Sequence, residues 1–280
     1  MSLVCPVCGK RLFTEEGVAR CESGHAFDRA RSGYWNLLMD QASHGHGDDK
    51  AMLRARRAFL SGGWYAPLTD AVSAIAARVL PDGGTAVDAG CGEGAYTLAA
   101  ADALAAAGKK HRLFAFDVSK EAARMTASLL RERGTVFVAS AYRIPMESGC
   151  ADLVISVFSP FARAEFARIL RPGGTLLRVV PEPDHLRELK EAVYDAPRSG
   201  PAGREEGDGA FLPGEEIPVR KTLDLPGAAL TELFDMTPYA RKTAPRDREK
   251  LLALPGLSVT MACRVLLSTK NSCEGNERRV

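Results

Sequence analysis

Apolar positions along this 280-residue chain change period several times, and the changes predict its elements. Residues 51–60 carry Arg54, Arg56 and Arg57 and predict a basic helix, ended by Gly62-Gly63. Pro67 opens a second helix running to Val79, with Leu68, Val72, Ile75, Ala76 and Val79 at helical spacing. From residue 85 the pattern becomes regular: strand 85–90, helix 95–106, strand 112–117, helix 119–132, strand 135–139. D-L-V-I-S-V-F at 152–158 reads as a buried central strand. Helix 162–169 follows, and Arg171-Pro-Gly-Gly174 turns into strand 175–180. Helix 185–193, strand 217–225, short helices at 230–234 and 246–253, and strand 257–267 complete the series. Alternating strands and helices predict an α/β fold with a mostly parallel, doubly wound sheet and ligands at the strand C-terminal ends.

With 46% of its residues hydrophobic, the chain can bury a sizeable core. No run approaches the ~20 apolar residues of a membrane span, and no signal-peptide pattern is present, so a soluble cytoplasmic protein is expected. A net charge of +2 does not by itself argue for nucleic acid. Seven cysteines, four of them scattered (Cys91, Cys150, Cys263, Cys273), argue against a disulfide framework.

Two stretches carry candidate chemistry. The first is T-A-V-D-A-G-C-G-E-G-A-Y-T at 85–97, which reads as strand, glycine-rich turn, helix. Its spacing, G-x-G-x-G, differs from the G-x-G-x-x-G that cradles a pyrophosphate. Asp88 and Glu93 would repel a pyrophosphate and suit a cationic ligand. Asp117 ends the next strand, about 20 residues on, where an acid can accept both hydroxyls of a ribose. Cys91 reads as a small packing residue.

The second stretch is Cys5-Pro-Val-Cys8, twelve residues, Cys21, three residues, His25. This C-x2-C-x12-C-x3-H spacing has the ligand types of a structural zinc site. His44 and His46, in a Gly/His/Asp-rich stretch, are rival fourth ligands. Cys21 as third ligand and the lack of a long helix here argue against a DNA-reading finger. Phe27, Tyr34 and Trp35 could stack bases and Arg29 and Arg31 could meet phosphates, but packing of a small core is the favoured reading.

The glycine loop resembles motif I of class I S-adenosylmethionine (SAM) methyltransferases. That likeness implies a Rossmann-like, mostly parallel seven-stranded sheet. It also implies a cofactor site built from Asp88, Gly90, Gly92, Glu93, Gly94, Tyr96, Asp117 and Val118, with adenine held by Ser140 and Ala141. Across nearly its whole length the chain is similar to the bacterial 23S rRNA (guanine-N1)-methyltransferases. The residues that carry this are C-P-V-C with C-x3-H, G-H-x-F-D-x-A-x-x-G-Y-x-N-L-L, A-R-R-A-F-L, D-A-G-C-G-E-G-x-Y-T, H-L-x-E-L-K and M-T-P-Y-A. The resemblance implies methyl transfer from SAM to N1 of a guanine in a 23S rRNA hairpin. It further implies structural Zn2+ on Cys5, Cys8, Cys21 and His25, a zinc module that helps hold RNA, and a homodimer, with no membrane or DNA partner. The expected division is a zinc-binding module at 1–40, a linker at 41–50, a methyltransferase domain at 51–268 and a disordered tail at 269–280. Residues 195–214, rich in Pro, Gly, Arg and Glu, are expected to be mobile.

Guanine N1 carries a proton that must leave before its lone pair can attack. Glu182, Asp184 and His185 follow the fifth predicted strand and are candidate bases, although His185 also reads as an ordinary first-turn residue. By analogy with other base methyltransferases, Phe161 is expected to stack on the guanine and Ser159 or a backbone carbonyl to hold its edge. Catalytic candidates are therefore Ser159, Phe161 and His185. Rival readings are a SAM-dependent methyltransferase of a small molecule or protein, and a non-catalytic zinc-dependent RNA-binding protein.

Overall fold

The computed structural model describes residues 2–39, 47–195 and 209–272. The first strands are β1 (Leu12–Glu15), β2 (Val18–Cys21), β3 (Ala26–Asp28) and β4 (Tyr34–Asn36). Then come α1 (Lys50–Ser61), α2 (Ala66–Val79), β5 (Gly84–Ala89), α3 (Ala95–Ala106), β6 (His111–Asp117), α4 (Lys120–Leu130) and β7 (Thr135–Val138). The rest is β8 (Ala151–Val157), α5 (Arg163–Ile169), β9 (Leu170–Pro181), α6 (Arg187–Val193), β10 (Phe211–Pro226), α7 (Gly227–Asp235), α8 (Pro245–Leu252) and β11 (Gly256–Lys270).

The expected seven-stranded sheet is present, but with an eighth strand. Its order is β10-β11-β9-β8-β5-β6-β7-β4, parallel from β9 to β4, with β11 antiparallel to β9 and to β10. The added strand, β4, comes from the amino-terminal module, with Trp35 paired to Phe137. The local apolar pattern of this three-residue strand could not reveal a partner a hundred residues away.

Strand side chains alternate between two cores. Ala86, Leu113, Ala115, Val136, Leu153 and Ile155 face a core shared with α2, α3 and α4. Val87, Phe114, Phe116, Phe137 and Val154 face a second core. Because both faces are covered, β5 is buried at all six positions and shows no polar alternation.

The second core has an unusual cover. The connection from β7 to β8 contains no helix among the described residues. Its place is taken by α5, through Phe166 and Ile169, and by the amino-terminal module, through Leu3, Leu12, Ala19, Trp35 and Leu37. The module is also joined by backbone: Leu3 bridges Met146, Val4 N–H donates to Pro145 O at 2.9 Å, and Glu147 N–H donates to Ser2 O at 3.0 Å. Trp35 is 7% exposed with Arg29 stacked 5.0 Å from its ring, so the packing reading of this segment is the one the structure supports.

Two expectations of disorder change. Phe211, Leu212 and Pro213, expected to be mobile, pair with Lys270, Thr269 and Ser268. Thr269 and Lys270, assigned to a disordered tail, therefore end β11, because backbone pairing with β10 carries them as strand. Residues 41–46, with His44 and His46, lie outside the described residues, as do 196–208 and 273–280. No described helix is long and apolar enough to cross a membrane.

The chain has two tryptophans, Trp35 in the module and Trp64 beside α2. Since the module covers part of the sheet, it should unfold with the sheet. W35F and W64F variants, each reporting through the other tryptophan, should give the same fluorescence midpoint relative to their own circular dichroism in urea. An earlier Trp35 transition would mean that the module melts by itself.

Candidate active site

The glycine loop forms because each of its glycines meets a distinct constraint. Gly90, Gly92 and Gly94 all have positive φ, at +84°, +55° and +95°. A Cβ on Gly90 would come within 2.6 Å of Ser159 Cβ, and one on Gly94 within 2.8 Å of Thr126 Oγ1. The backbone N–H groups of Gly90 and Cys91 both donate to Phe116 O, at 2.9 and 3.0 Å. Gly92 N–H donates to Asp117 Oδ2 at 3.0 Å, and Thr126 Oγ1 donates to Gly92 O at 2.9 Å. The loop is thus tied to β6 and α4, and α3 starts directly beyond it.

Three carboxylates converge here. Asp88 is fully enclosed, with Thr97 Oγ1 donating to its Oδ2 at 2.5 Å. Burial pushes its carboxyl up to about 7; Asp117 and Glu93 add to the rise, and Thr97 opposes it. Burial also raises Glu93, whose Oε1 accepts Ala95 N–H while Arg56 and Arg57 lie near enough to lower it. Asp117 is raised by burial and opposed by Ser119 N–H and Gly92 N–H, which occupy one site on each oxygen. Each oxygen keeps a second lone pair. A cluster of acids, two buried and one half-buried, around an open backbone cradle fits a ligand with positive charge and hydroxyl donors, which is the chemistry of SAM. Burial drives Cys91 far from thiolate, in keeping with a packing role.

Helix α1 leans over this cradle. Asp49 caps it through Met52 N–H, and Arg56 pairs with Asp48 at 2.5 Å and donates to Met236 O at 3.1 Å. Ser119 Oγ donates to Asp48 O, and Gly47 packs against Val118. The A-R-R-A-F-L and M-T-P-Y-A motifs therefore meet at Arg56, which the sequence had marked only as part of a basic helix. Tyr96 is half-buried against the first core, and Ala141 against the second. Ser140 Oγ accepts Tyr142 N–H in the turn after β7.

The three catalytic candidates are differently placed from the sequence expectation. Phe161 packs between Phe166 and Phe211, with the Arg178 guanidinium 3.5 Å from its ring centroid. That face is closed to a base. Ser159 Oγ donates to Ala89 O at 2.7 Å and lies beneath the loop, where it braces the turn. His185 is 7% exposed; its Nδ1 accepts Ala262 N–H at 3.1 Å, which leaves the proton on Nε2, 3.5 Å from Tyr65 Oη. Burial and Lys190 lower it to about 4, so it is neutral at ordinary pH. A ring whose only lone pair is engaged by the backbone is not a general base. Glu182 is engaged by Arg264 and Asp184 by Arg220, each at 2.6 Å. The sequence reading missed Tyr65 and Phe158; the only local signal was V-F-S-P-F, where the first phenylalanine rather than the second faces out.

At the far end of the module, the ligand atoms of Cys5, Cys8, Cys21 and His25 all lie within 4.8 Å of one another. Cys8 Sγ is 3.6 Å from Cys21 Sγ, and Cys21 Sγ is 3.4 Å from His25 Nδ1. A tetrahedron with Zn–S near 2.3 Å has edges of roughly 3.8 Å, so three sulfurs and one nitrogen at these spacings fit zinc. Two turns set the pairs: Gly9 N–H donates to Cys5 O and Gly24 N–H to Cys21 O, with both glycines at positive φ. The Lys10 backbone N–H pulls the Cys8 thiol down to about 6, toward the ligating thiolate.

Comparison with known proteins agrees with this geometry. The family described as RlmA, N-terminal, a zinc ribbon, matches residues 3–45, and the family described as Methyltransferase domain matches residues 86–174. The chain is 36% identical to the 23S rRNA (guanine(748)-N(1))-methyltransferase of Streptomyces fradiae, covering 94% of this chain and 97% of that one. It is 34% identical to a protein of Micromonospora griseorubida carrying the name 23S rRNA (guanine-N(1)-)-methyltransferase, over 95% and 96%. Among solved structures, the YcgJ protein of Bacillus subtilis matches with a TM-score of 0.50 at 14% identity, covering 72% of this chain and 98% of that one, a likeness of fold. The fold is that of the class I SAM-dependent methyltransferases with a zinc ribbon, and the chain belongs to the 23S rRNA (guanine-N1)-methyltransferase family.

Proposed function

We infer that this protein transfers a methyl group from SAM to N1 of a guanine in a hairpin of 23S rRNA. The observation that carries the reading is a glycine cradle lined by the buried Asp88 and Glu93 and the half-buried Asp117, in the same chain as a Cys3His cluster, with relatives of that name matching over nearly full length.

SAM, when bound, supplies a methyl group on a sulfonium leaving group. The chain's own residues bind and orient. Asp117 offers its free lone pairs to the ribose hydroxyls. Asp88 and Glu93 supply negative charge on the side facing the cation. Gly90, Gly92 and Gly94 let the ligand reach the backbone, Val118, Ser140 and Ala141 border the adenine, and Tyr96 packs beneath. The Asp48–Arg56–Met236 link holds α1 across the opening and limits water there. Cys5, Cys8, Cys21 and His25 form a closed four-ligand zinc site, which is structural rather than catalytic.

Ser159 positions the loop, and His185, fixed as an Nε2–H donor, positions the acceptor side. With Glu182 and Asp184 held in ion pairs, none of these rim groups takes the guanine proton; it leaves to solvent. The zinc ribbon, carried on the same chain, helps hold the RNA. As a functional division, the zinc module at 1–40 joins through 41–50 to a methyltransferase domain that begins at 51 and includes β11 to Lys270. The protein works as a homodimer in the cytoplasm, on RNA rather than DNA.

Incubation with labelled SAM and unmodified 23S rRNA fragments, followed by mapping, should place the label on N1 of one guanine in a hairpin. Label in no RNA would sink the reading. E182Q and D184N should each lower kcat by less than about tenfold, against the roughly 10²–10⁴-fold loss expected of a true general base. A larger loss in either would identify it as the proton acceptor.

Proton linkage gives a further check. The Asp88 carboxyl is raised from 3.8 to about 7, so its protonated form is favoured in the fold. Its stabilising effect on the free protein is full below 3.8 and is lost as pH rises through about 7. A cation prefers the ionised carboxylate. SAM should therefore raise Tm more at about pH 8 than at about pH 5.5, and D88N should flatten both trends. Equal SAM-induced shifts at the two pH values in the unaltered protein would contradict the placement of Asp88 at the cation.

A further inference from the structure

Phe158 stands out on the strand C-terminal rim. It directly follows β8, is 45% exposed, and adopts φ +51°. A bulky residue in the left-handed region is a genuine outlier and needs support from its surroundings. That support is visible. Phe158 N–H donates to Val179 O at 3.2 Å, and the next residue, Ser159, is bonded to Ala89 O beneath the glycine loop. The left-handed turn breaks the strand alternation and holds the ring out at the rim.

One side of that ring is backed by a column of buried rings. Phe158 stacks on His185, with centroids 5.9 Å apart and planes at 29°. His185 meets Tyr65 at 6.3 Å, and Tyr65 meets Phe59 edge-on at 5.1 Å. Exposure falls along the column from 45% at Phe158 to 7%, 2% and 0%. His185 is itself fixed at both ends, through Ala262 N–H at Nδ1 and through its carbonyl, which accepts Lys190 Nζ at 2.9 Å. The outermost ring therefore rests on an immobile pedestal.

Its position selects an occupant. Loops after β5, β6 and β7 carry the cofactor groups, and the sheet order places β8 on the other side of β5. A ligand reaching the methyl end must come over β8. Tyr142, the other large exposed aromatic near this rim, follows β7 on the adenine side. An unpaired base splayed from a hairpin presents a flat π-face, and base–aromatic stacking is the common way proteins hold one.

We propose that Phe158, backed by His185 and Tyr65, is the stacking platform for the acceptor guanine; the proposal rests on the reading of the protein as an RNA guanine methyltransferase. Stacking tolerates any base, so the platform orients the purine plane toward the cofactor and does not choose guanine.

The test compares F158A, F158G, F158Y and F158W with the unaltered protein, using a 23S rRNA hairpin that the unaltered protein methylates. F158G matters because glycine accepts φ +51° without strain, so it removes the ring while keeping the turn. F158A and F158G should lose about 5–150-fold in kcat/KM for RNA. SAM affinity by calorimetry should change by less than about twofold, and Tm of F158G should not fall. F158Y and F158W should retain most activity. Unchanged kcat/KM in F158A and F158G would overturn the platform. So would a loss of SAM affinity matching the loss of activity, since the ring would then belong to the cofactor side. No methylation by the unaltered protein would instead overturn the underlying reading of function.

Discussion

The face of the sheet that carries Phe114, Phe116 and Phe137 receives no helix from the β7–β8 connection and only α5 from β8–β9, and the rest of the structure depends on how that face is closed. All three rings are less than 5% exposed. Leaving one such ring in water forfeits about 1.5–3 kcal/mol, a large part of the margin of a typical domain. The amino-terminal module supplies the missing layer, and it is too small to hold its shape by apolar burial. Its turns are drawn together by four metal ligands instead. Metal binding in such modules is folding free energy. In this chain that free energy is passed to the sheet, because Leu3, Trp35 and Leu37 are part of the second core rather than of a separate one.

This joins the metal to the cofactor cradle through one residue. The side chain of Phe116 lies in the core that the module covers, stacked 5.4 Å from Phe137. Its carbonyl accepts both Gly90 N–H and Cys91 N–H, and its neighbour is Asp117. Displacing the ring would shift the anchor of the glycine loop and the acid beside it together. The zinc module need not touch the cofactor to matter for its binding. The module's role in holding the sheet is independent of any contact with RNA.

Local patterns were legible in the sequence and distant pairings were not. The positive φ of Gly90, Gly92 and Gly94 follows from steric rules within a few residues, and so does the pairing of Cys5 with Cys8 across a tight turn. The alternation that sorts Phe114 and Phe116 from Leu113 and Ala115 is equally local. What is not legible there depends on residues far apart in sequence. Trp35 joins Phe137 to make the eighth strand; Arg56 reaches Met236; β11 runs on to Lys270 because β10 is beside it. The exchange of Phe161 for Phe158 is instructive. Both belong to one five-residue stretch, and only a positive φ at Phe158 and the approach of Arg178 to Phe161 decide which ring meets solvent.

The charge arrangement of the two sides of the site differs in a way that suits the reaction. On the cofactor side, burial raises Asp88, Glu93 and Asp117, and Asp117 and Glu93 raise Asp88 further, so negative charge is in excess and a cation relieves it. On the acceptor side each of these acids is held in an ion pair: Glu182 and Glu216 share Arg264, and Asp184 holds Arg220. A guanine losing its N1 proton becomes an anion. Unpaired carboxylates beside it would oppose that loss, whereas paired ones exert little field at a distance. The same ion pairs that disqualify Glu182 and Asp184 as bases thus weaken their field on the acceptor side, and the neutral His185 adds no positive charge to compete for the RNA lone pair. Attraction between the guanine anion and the cofactor cation is then opposed by no unpaired carboxylate among these groups, and positioning by a fixed aromatic face is sufficient work for the protein on this side.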